Sequence, residues 1–456
     1  MTDDRRGAGA GPRANALVTR QLREPRMQFD YDNRHAVQSN PFVGLGKFGP
    51  YDASERRRAG ITPTRIVVVA QKEHRGAISN LIEGLRTIRL KELQAVFPLE
   101  FVDQVLVPRT RVADEAAAYQ RAIEEWFAAT PYQRGVDLAI VLHSAEPTYR
   151  GASPYFSSKA AFMRRGVPTQ SICVANVANQ NLERFKSYYV ANILTACYAK
   201  TGGVPWVVQP GARGRPEVTV GVATTSVADG RGVVQRYVGI STIFRENGAF
   251  ALWDITEPEQ DLEKYEAQLE TTIVRAIRTF EQREGKRVTR IACHVSGKRA
   301  GFRETDAVRR AVEQFPGRSI AADIVHVSEN APLWLLDGSG PGLRPKSGLL
   351  THLTLDGKSA LMHTEGHSDA PGQARSLTRP LRLNLHSPLP ESGCEEIHQH
   401  LYDLRWMSWR GVRAASGPVS VAYPKKMAFL LAYMHEQADV AALDILSQLK
   451  NKAWFL

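Results

Sequence analysis

The chain is poor in cysteine: four in 456 residues, at positions 173, 197, 293 and 394, with no CxxC pair. That excludes a disulfide frame and a thiolate zinc site, and it fits free thiols in a reducing cytoplasm. No apolar run reaches the roughly 18 residues that span a bilayer. The N-terminus lacks the apolar core of a secretory signal. The expectation is therefore a cytoplasmic protein with no membrane partner. No GxGxxG follows the first apolar run, so a dinucleotide is not indicated. Internal repeats are also missing. What is present in quantity is length and positive charge. A chain this long is expected to form two or three domains. The formal net charge of +12 favours a polyanionic partner such as nucleic acid, or an acidic protein.

Residues 1–40, rich in Gly, Arg, Ala and Asn, read as a flexible or partner-dependent arm. "NPFVGLGKFGPYDA" (40–53) reads as an ordered loop leading into a domain. From residue 62, apolar runs alternate with helical patterns: "TRIVVVAQ", a helix over 77–93, "LEFVDQVLVP", a helix over 113–128, "VDLAIVLH", a helix, a strand, and a long helix over 180–200. Fully apolar strands between helices mean a parallel sheet covered on both faces, a Rossmann-like α/β arrangement. After "KTGGVPW" the rhythm changes to three successive strands, a helix over 258–284, "VTRIACHVSG", a helix over 303–314, "SIAADIVHVSE", a hairpin about Asp356-Gly357 and two closing helices. Three antiparallel strands, then a helix, then more strands, is the order of an RNase H-like sheet.

One stretch, "SPYFSSKAAFMRRGVPTQSICVANV" (153–177), concentrates polar residues oddly. Ser153 is a good N-cap and Pro154 belongs at the first helical position. Tyr155 falls in the first turn, with Lys159 one turn on along the same face. A helix N-terminus offers free N–H groups and partial positive charge, so a lysine and a phenol beside it suit an anion. Gln170 opens the next strand, and Asn176 lies at its far end or just beyond. Lys200 ends the long helix before the Gly202-Gly203 stop. The bland alternative is a solvated helix face for Tyr155 and Lys159, with Lys200 a dipole partner.

The pattern Y-x3-K, Q eleven residues on, N-V six further, then a long helix ending in K-x-GG, resembles the MID domain of Argonaute proteins. The resemblance implies that Tyr155, Lys159, Gln170, Asn176 and Lys200 grip the 5′-phosphate of a guide strand. One departure is Ala196, where eukaryotic members often carry a second lysine. "NPFVGLGKFGPYD" is similar to the lead-in of prokaryotic Argonautes, and "GPVSVAYPKKMAFLLAYM" to the last PIWI helix and the strand before it. Covering about residues 40–456, the resemblance leaves no room for N and PAZ domains. It implies a short prokaryotic Argonaute: an arm and lead-in over 1–60, MID over 61–205 and an RNase H-like PIWI domain over 206–456. It also implies a Mg²⁺ ion bridging the guide phosphate and the C-terminal carboxylate, with Gln170 and Leu456 as ligands. For that "AWFL" must tuck inward; the alternative is a frayed tail.

A PIWI nuclease needs carboxylates holding two Mg²⁺ ions. At the corresponding positions this chain has Ala223 (or Thr224) in "VGVATTS", Ser296 in "HVSG" and Lys425 in "YPKK". An alanine, a serine and a lysine cannot hold two hard cations, so no catalytic residue is expected. Asp229, Asp254 and Glu304 lie near these strands and define the alternative, a displaced nuclease site. "HTEGH" (363–367) and "HQH" (398–400) read as structural rather than zinc-binding, and Trp406 and Trp409 as packing rather than base-stacking platforms.

The resemblance thus implies a recognition subunit that carries a guide RNA and pairs with complementary single-stranded DNA. Its implied partner is a separate APAZ-containing effector subunit, a sirtuin-like NADase by preference and a TIR NADase next. Target pairing would trigger NAD⁺ depletion in anti-plasmid or anti-phage immunity.

Overall fold

The computed structural model describes residues 17–129, 135–144, 153–178, 183–209, 216–228, 234–244, 248–255, 262–296, 302–338, 341–365, 377–386, 393–438, 449 and 452–456. Strands Thr64–Gln71, Leu99–Val107, Leu138–His143 and Thr169–Cys173 form a four-stranded parallel sheet. The first of these lies in the interior, with the second on one side and the third and fourth on the other. Val67 to Val69 and Ala139 to Val141 are fully buried, because helices cover both faces of this sheet. The helical stretch expected over 77–93 is two helices, Arg75–Thr87 and Lys91–Val96, broken where Ile88 turns to an extended backbone.

The second half is a mixed sheet of nine strands. Five of its strands follow the expected order: Val218–Ala228, Val234–Phe244 and the edge strand Ala249–Ile255 run antiparallel, and Arg290–Ser296 and Ala321–Ser328 join parallel on the other side of the first. The hairpin Leu349–His352 and Ser359–Met362 follows. The strand Leu381–Leu385, absent from the sequence reading, zips that hairpin to Ala321–Ser328. Val218, Val220, Val222, Ile291, Cys293 and Val295 face the helices Leu262–Glu284 and Phe302–Glu313. The alternate residues of those strands therefore face the other way, towards the helices Cys394–Asp403 and Val419–Ala438.

Two sequence readings of the N-terminal region are overturned. Residues 1–16 lie outside the described residues, but 19–40 is not a loose arm. Thr19–Gln21 adds an edge strand to the large sheet, and Met27–Gln28 pairs with both Val37–Gln38 and Val207–Val208. Residues 41–48 form a helix rather than a loop. Asn40 caps it through its side-chain oxygen, 3.0 Å from the Phe42 amide, and Pro41 takes the first helical position. Its glycine at 44 serves close packing, because a Cβ there would sit 2.1 Å from the Phe29 ring. Composition alone made that glycine look like loop punctuation.

A third correction concerns "GPVSVAYPKKMAFLLAYM". No strand precedes the last helix. The helix starts at Val419 and carries Pro424 inside it. The amide that a proline lacks is at the sixth helical residue, past the first turn where it would be harmless.

Candidate anion site

The helix Pro154–Met163 starts as its sequence dictates. The Ser153 Oγ accepts from the Tyr155 amide at 3.3 Å, and Pro154 occupies the first turn. Every residue from Phe156 to Met163 is buried, since the helix is wedged against Glu115–Ala129, the sheet and Val419–Ala438. The solvated-face reading of Lys159 therefore fails: its side chain is 1% exposed. The Lys159 ammonium donates to the Trp454 backbone carbonyl at 3.1 Å and lies 5.8 Å from the Tyr155 ring centre and 5.6 Å from that of Trp454. Burial pulls its pKa down to about 7.

Lys200, also 1% exposed, reaches back from the end of the helix Glu183–Lys200. Its ammonium donates to the Thr169 carbonyl at 2.7 Å and to Gln170 Oε1 at 2.8 Å. It is therefore more than a partner for the helix dipole. Its pKa lies well below the ordinary lysine value, first through burial and then through repulsion from Lys159 and Lys426. One turn earlier, burial pushes the Cys197 thiol up to about 12.

Lys159, Gln170 and Lys200 are thus gathered at one place, with Tyr155 against Lys159. Asn176 stands apart, exposed on the short helix Ala175–Ala178. Two further cations belong to the cluster and were missed in the sequence. Lys426, half-buried on the last helix, is shifted well down by burial, by Arg410 and by Lys159. Arg410 adds to the repulsion at both Lys200 and Lys426. The "KK" doublet was visible, but only the helix phase shows that Lys426 turns inward while Lys425 turns out. No carboxylate is among the leading influences on the three lysines. The Lys159 and Lys200 ammonium groups donate to neutral oxygens, and a buried cation so placed costs several kcal/mol.

The C-terminus builds one wall. Trp454 and Phe455 are fully buried and Leu456 is 6% exposed, so the tail is tucked rather than frayed. Phe455 packs edge-on against Tyr423 at 4.9 Å, and the Leu456 amide donates to the Ala453 carbonyl at 3.1 Å.

The second place singled out in sequence lies on the large sheet. Ser296 and Ala223 are paired in register on adjacent parallel strands, both on the face turned towards the last helix. Nearby on that face, His294 Nδ1 is 2.7 Å from Ser420 Oγ on the last helix. Lys425 follows on the same helix and forms a 2.5 Å ion pair with Glu329, just past the strand Ala321–Ser328. The displaced-site candidates do not converge here. Asp229 lies outside the described residues. Asp254 pairs with Ile240 on the edge strand, three strands from Ser296, which at about 4.8 Å per strand is far beyond the spacing of a two-metal site. Glu304 accepts from the Tyr265 hydroxyl at 3.2 Å.

The histidine motifs are dispersed. His400 is 3.1 Å from the Thr219 hydroxyl, while His398 packs against His352 at 5.8 Å. His363 is buried, and Gly366 and His367 lie outside the described residues. Among the described residues no three His, Cys, Asp or Glu side chains could hold a metal together. Trp409 is buried and donates to the Trp206 carbonyl at 3.2 Å, and Trp206 donates to the Trp406 carbonyl at 2.7 Å. These indoles are packing residues.

Residues 150–436, more than half of the chain, match the Piwi domain family model. A protein argonaute of Cereibacter sphaeroides is 24% identical over 464 residues, covering 95% of this chain and 58% of that protein. A Piwi protein of Archaeoglobus fulgidus is 25% identical over 407 residues, covering 85% of this chain and 87% of that one. In fold, the chain is similar to Clostridium butyricum Argonaute bound to a guide DNA and a 19-mer target DNA. The TM-score is 0.67 and the identity 16%, over 92% of this chain and 54% of that one. Drosophila Piwi gives a TM-score of 0.65 at 16% identity, over 96% and 56%. The chain thus spans little more than half the length of the Cereibacter protein and of both solved structures. No described helix is long and apolar enough to cross a membrane.

Proposed function

The chain belongs to the Piwi domain family, and from that premise we propose that it is the guide-binding subunit of a short prokaryotic Argonaute system. Its pocket holds the 5′-phosphate of a guide RNA. The observation that carries this reading is the pair Lys159 and Lys200, each 1% exposed and donating to neutral oxygens, with the half-buried Lys426 near enough to add to the repulsion. A terminal phosphate dianion supplies the missing charge and accepts charge-assisted hydrogen bonds of about 1.5–3 kcal/mol each. The Tyr155 hydroxyl and the amide of Gln170 complete the grip. Asn176 is retained in the proposed set as a residue that approaches the guide from the rim.

Gln170 Oε1 and the carboxylate of the inward-tucked Leu456 are hard oxygen donors of the type Mg²⁺ takes. They would hold an ion whose charge the guide phosphate and that carboxylate offset. This chain's own contribution is to seat the tail through Trp454 and Phe455 and to orient Gln170 through its bond to Lys200.

With Ala223, Ser296 and Lys425 where metal ligands would be needed, we infer that the large-sheet site does not cleave. Base pairing of the held guide then reads a complementary single-stranded DNA, with the protein gripping phosphates rather than bases. A subunit that finds a target without cutting it needs an effector. An APAZ-containing NADase subunit, sirtuin-like or otherwise TIR, fits that role in anti-plasmid or anti-phage immunity.

The test compares 5′-phosphorylated and 5′-hydroxyl guides, each as RNA and as DNA. Strong preference for the phosphorylated guide is expected; equal binding of both ends the reading. Incubation of the loaded protein with matched target and Mg²⁺ or Mn²⁺ should leave the target intact. Specific cleavage opposite one guide position would favour the nuclease instead. Co-expression with the product of the neighbouring gene, followed by an NAD⁺ assay with and without target, tests the effector.

A further inference from the structure

We propose that the buried C-terminal tail is an internal lever that reports an anion in the pocket to the large sheet, by way of Tyr423 and the turn Met407–Val412. The inference rests on the pocket reading and adds a regulatory consequence to it. Lys159 is the input. Its ammonium donates to the Trp454 carbonyl at 3.1 Å, so a neutral backbone oxygen holds a donor that a stronger acceptor would claim. A phosphate dianion is such an acceptor, since charge-assisted hydrogen bonds are about twice as strong as neutral ones. An anion therefore draws the ammonium off the carbonyl, and a buried carbonyl left without its donor is costly. The tail then has to reseat.

It cannot do so alone. Residues 453–456 are all buried, and the Leu456 amide closes a tight turn on the Ala453 carbonyl at 3.1 Å. The Trp454 and Phe455 ring centres are 5.8 Å apart, and Phe455 packs edge-on against Tyr423 at 4.9 Å. A close-packed interior passes such a displacement on to its neighbours. The Tyr423 hydroxyl donates to the Met407 carbonyl at 2.9 Å and accepts from the Trp409 amide at 3.2 Å, so it sets the turn. The same turn is tied to the other buried lysine of the pocket. The Val412 amide donates to Asn192 Oδ1 at 2.9 Å, two turns before Lys200 on the helix Glu183–Lys200. A Cβ at Gly411 would lie 2.5 Å from that oxygen, so turn and helix meet without slack. Lys159 and Lys200 thus reach one turn by separate routes. The output is at Gly248. It holds φ +75°, and a Cβ there would lie 2.8 Å from Met407 Cγ. Gly248 leads into the edge strand Ala249–Ile255, so a shift of Met407 is felt at the border of the large sheet. Lys159 bonded to the carbonyl, or to an anion, supplies the two states that coupling requires.

The test uses the full chain labelled with fluorotryptophan, with adenosine 5′-monophosphate as the probe and adenosine as the control. Fluorine NMR signals of Trp454 and Trp409 are assigned from the Trp454→Phe and Trp409→Phe variants. The monophosphate should shift both signals and alter amide exchange in 407–412 and 248–255 by about threefold or more. Adenosine should do neither. Tyr423→Phe keeps the ring against Phe455 and removes the hydroxyl. It should still bind the monophosphate and shift Trp454, while Trp409 and the exchange in 248–255 no longer respond. A monophosphate that does not bind in equilibrium dialysis ends the pocket reading and the lever together. One that binds the wild-type chain without moving Trp409 or the exchange in 248–255 overturns the lever alone, and that outcome needs no variant to fold. A Trp409 response that survives in a folded Tyr423→Phe variant overturns it as well, because the coupling then runs elsewhere.

Discussion

Two polar constellations of this chain have opposite electrostatics. Around Lys159 and Lys200, ammonium groups are buried among neutral oxygens, burial lowers the pKa of both, and like charge sits beside like charge. On the large sheet, Ala223 is buried and uncharged, and Lys425 is half-exposed and paired with Glu329. The second place is locally relaxed. The first carries an electrostatic penalty that an anionic ligand, or loss of the lysine protons, removes. The contrast therefore sets a buried cation cluster that suits an anion against a locally neutral place on the large sheet, where we propose that no metal pair is held.

The comparison breaks first at the pocket. Replacing Lys159 and Tyr155 together by alanine should weaken binding of a phosphorylated guide by about two to four decades, given about 1.5–3 kcal/mol per charged hydrogen bond. The hydroxyl guide should change far less, and titration of both guides measures the difference. An equal loss for both would mean general damage rather than a phosphate site.

The next largest effect is on the empty protein, with the opposite sign. Lys159→Met removes an uncompensated buried charge and should raise unfolding stability by about 1–4 kcal/mol at pH 7. The Lys159 pKa is about 7 in the fold, below the ordinary value of about 10.4. The unfolded chain therefore binds more protons between those values, and wild-type stability should climb with pH through that window. Each lysine so shifted contributes up to about 1.4 kcal/mol per pH unit. Urea unfolding at pH 7 and 9 checks this: a wild-type pH slope no steeper than that of the methionine variant, which keeps Lys200 and Lys426, counts against a strained Lys159.

The large-sheet site gives a smaller effect. Ala223 is 1% exposed, so Ala223→Asp with Ser296→Asp buries a carboxylate and should lower stability by about 1–3 kcal/mol. Target cleavage should remain absent, because Lys425 still repels a second divalent ion. Recovery of Mg²⁺-dependent cleavage would mean that the two sites differ less than their residues suggest.

The smallest effect is at Glu329. Glu329→Gln breaks an ion pair whose partners are each about half exposed, and such pairs contribute about 0–1 kcal/mol. Thermal melting should shift little, and guide binding not at all.

The sequence by itself determined the two-part architecture, because a period of apolar runs separated by helices permits little else than covered parallel strands. It also determined the start of the helix at Pro154, through Ser153 and Pro154, and by resemblance it named Tyr155, Lys159, Gln170, Asn176 and Lys200 as one group, of which Asn176 is exposed on a separate short helix. Short segments escaped it. The strands at 19–21, 27–28 and 381–385 have too few residues for a periodic signal and exist only because a neighbouring strand offers its edge. Gly44 looked like a loop until Phe29 was seen to need the space. Only the tertiary structure decided which lysine of 425 and 426 turns inward, since that depends on the phase of a helix that begins five residues earlier than the proline suggests. It alone decided that Trp454 closes the pocket from nearly three hundred residues away along the chain. Local pattern fixes which groups are polar; desolvation and repulsion are set by what else arrives in the same small volume, and only packing decides that.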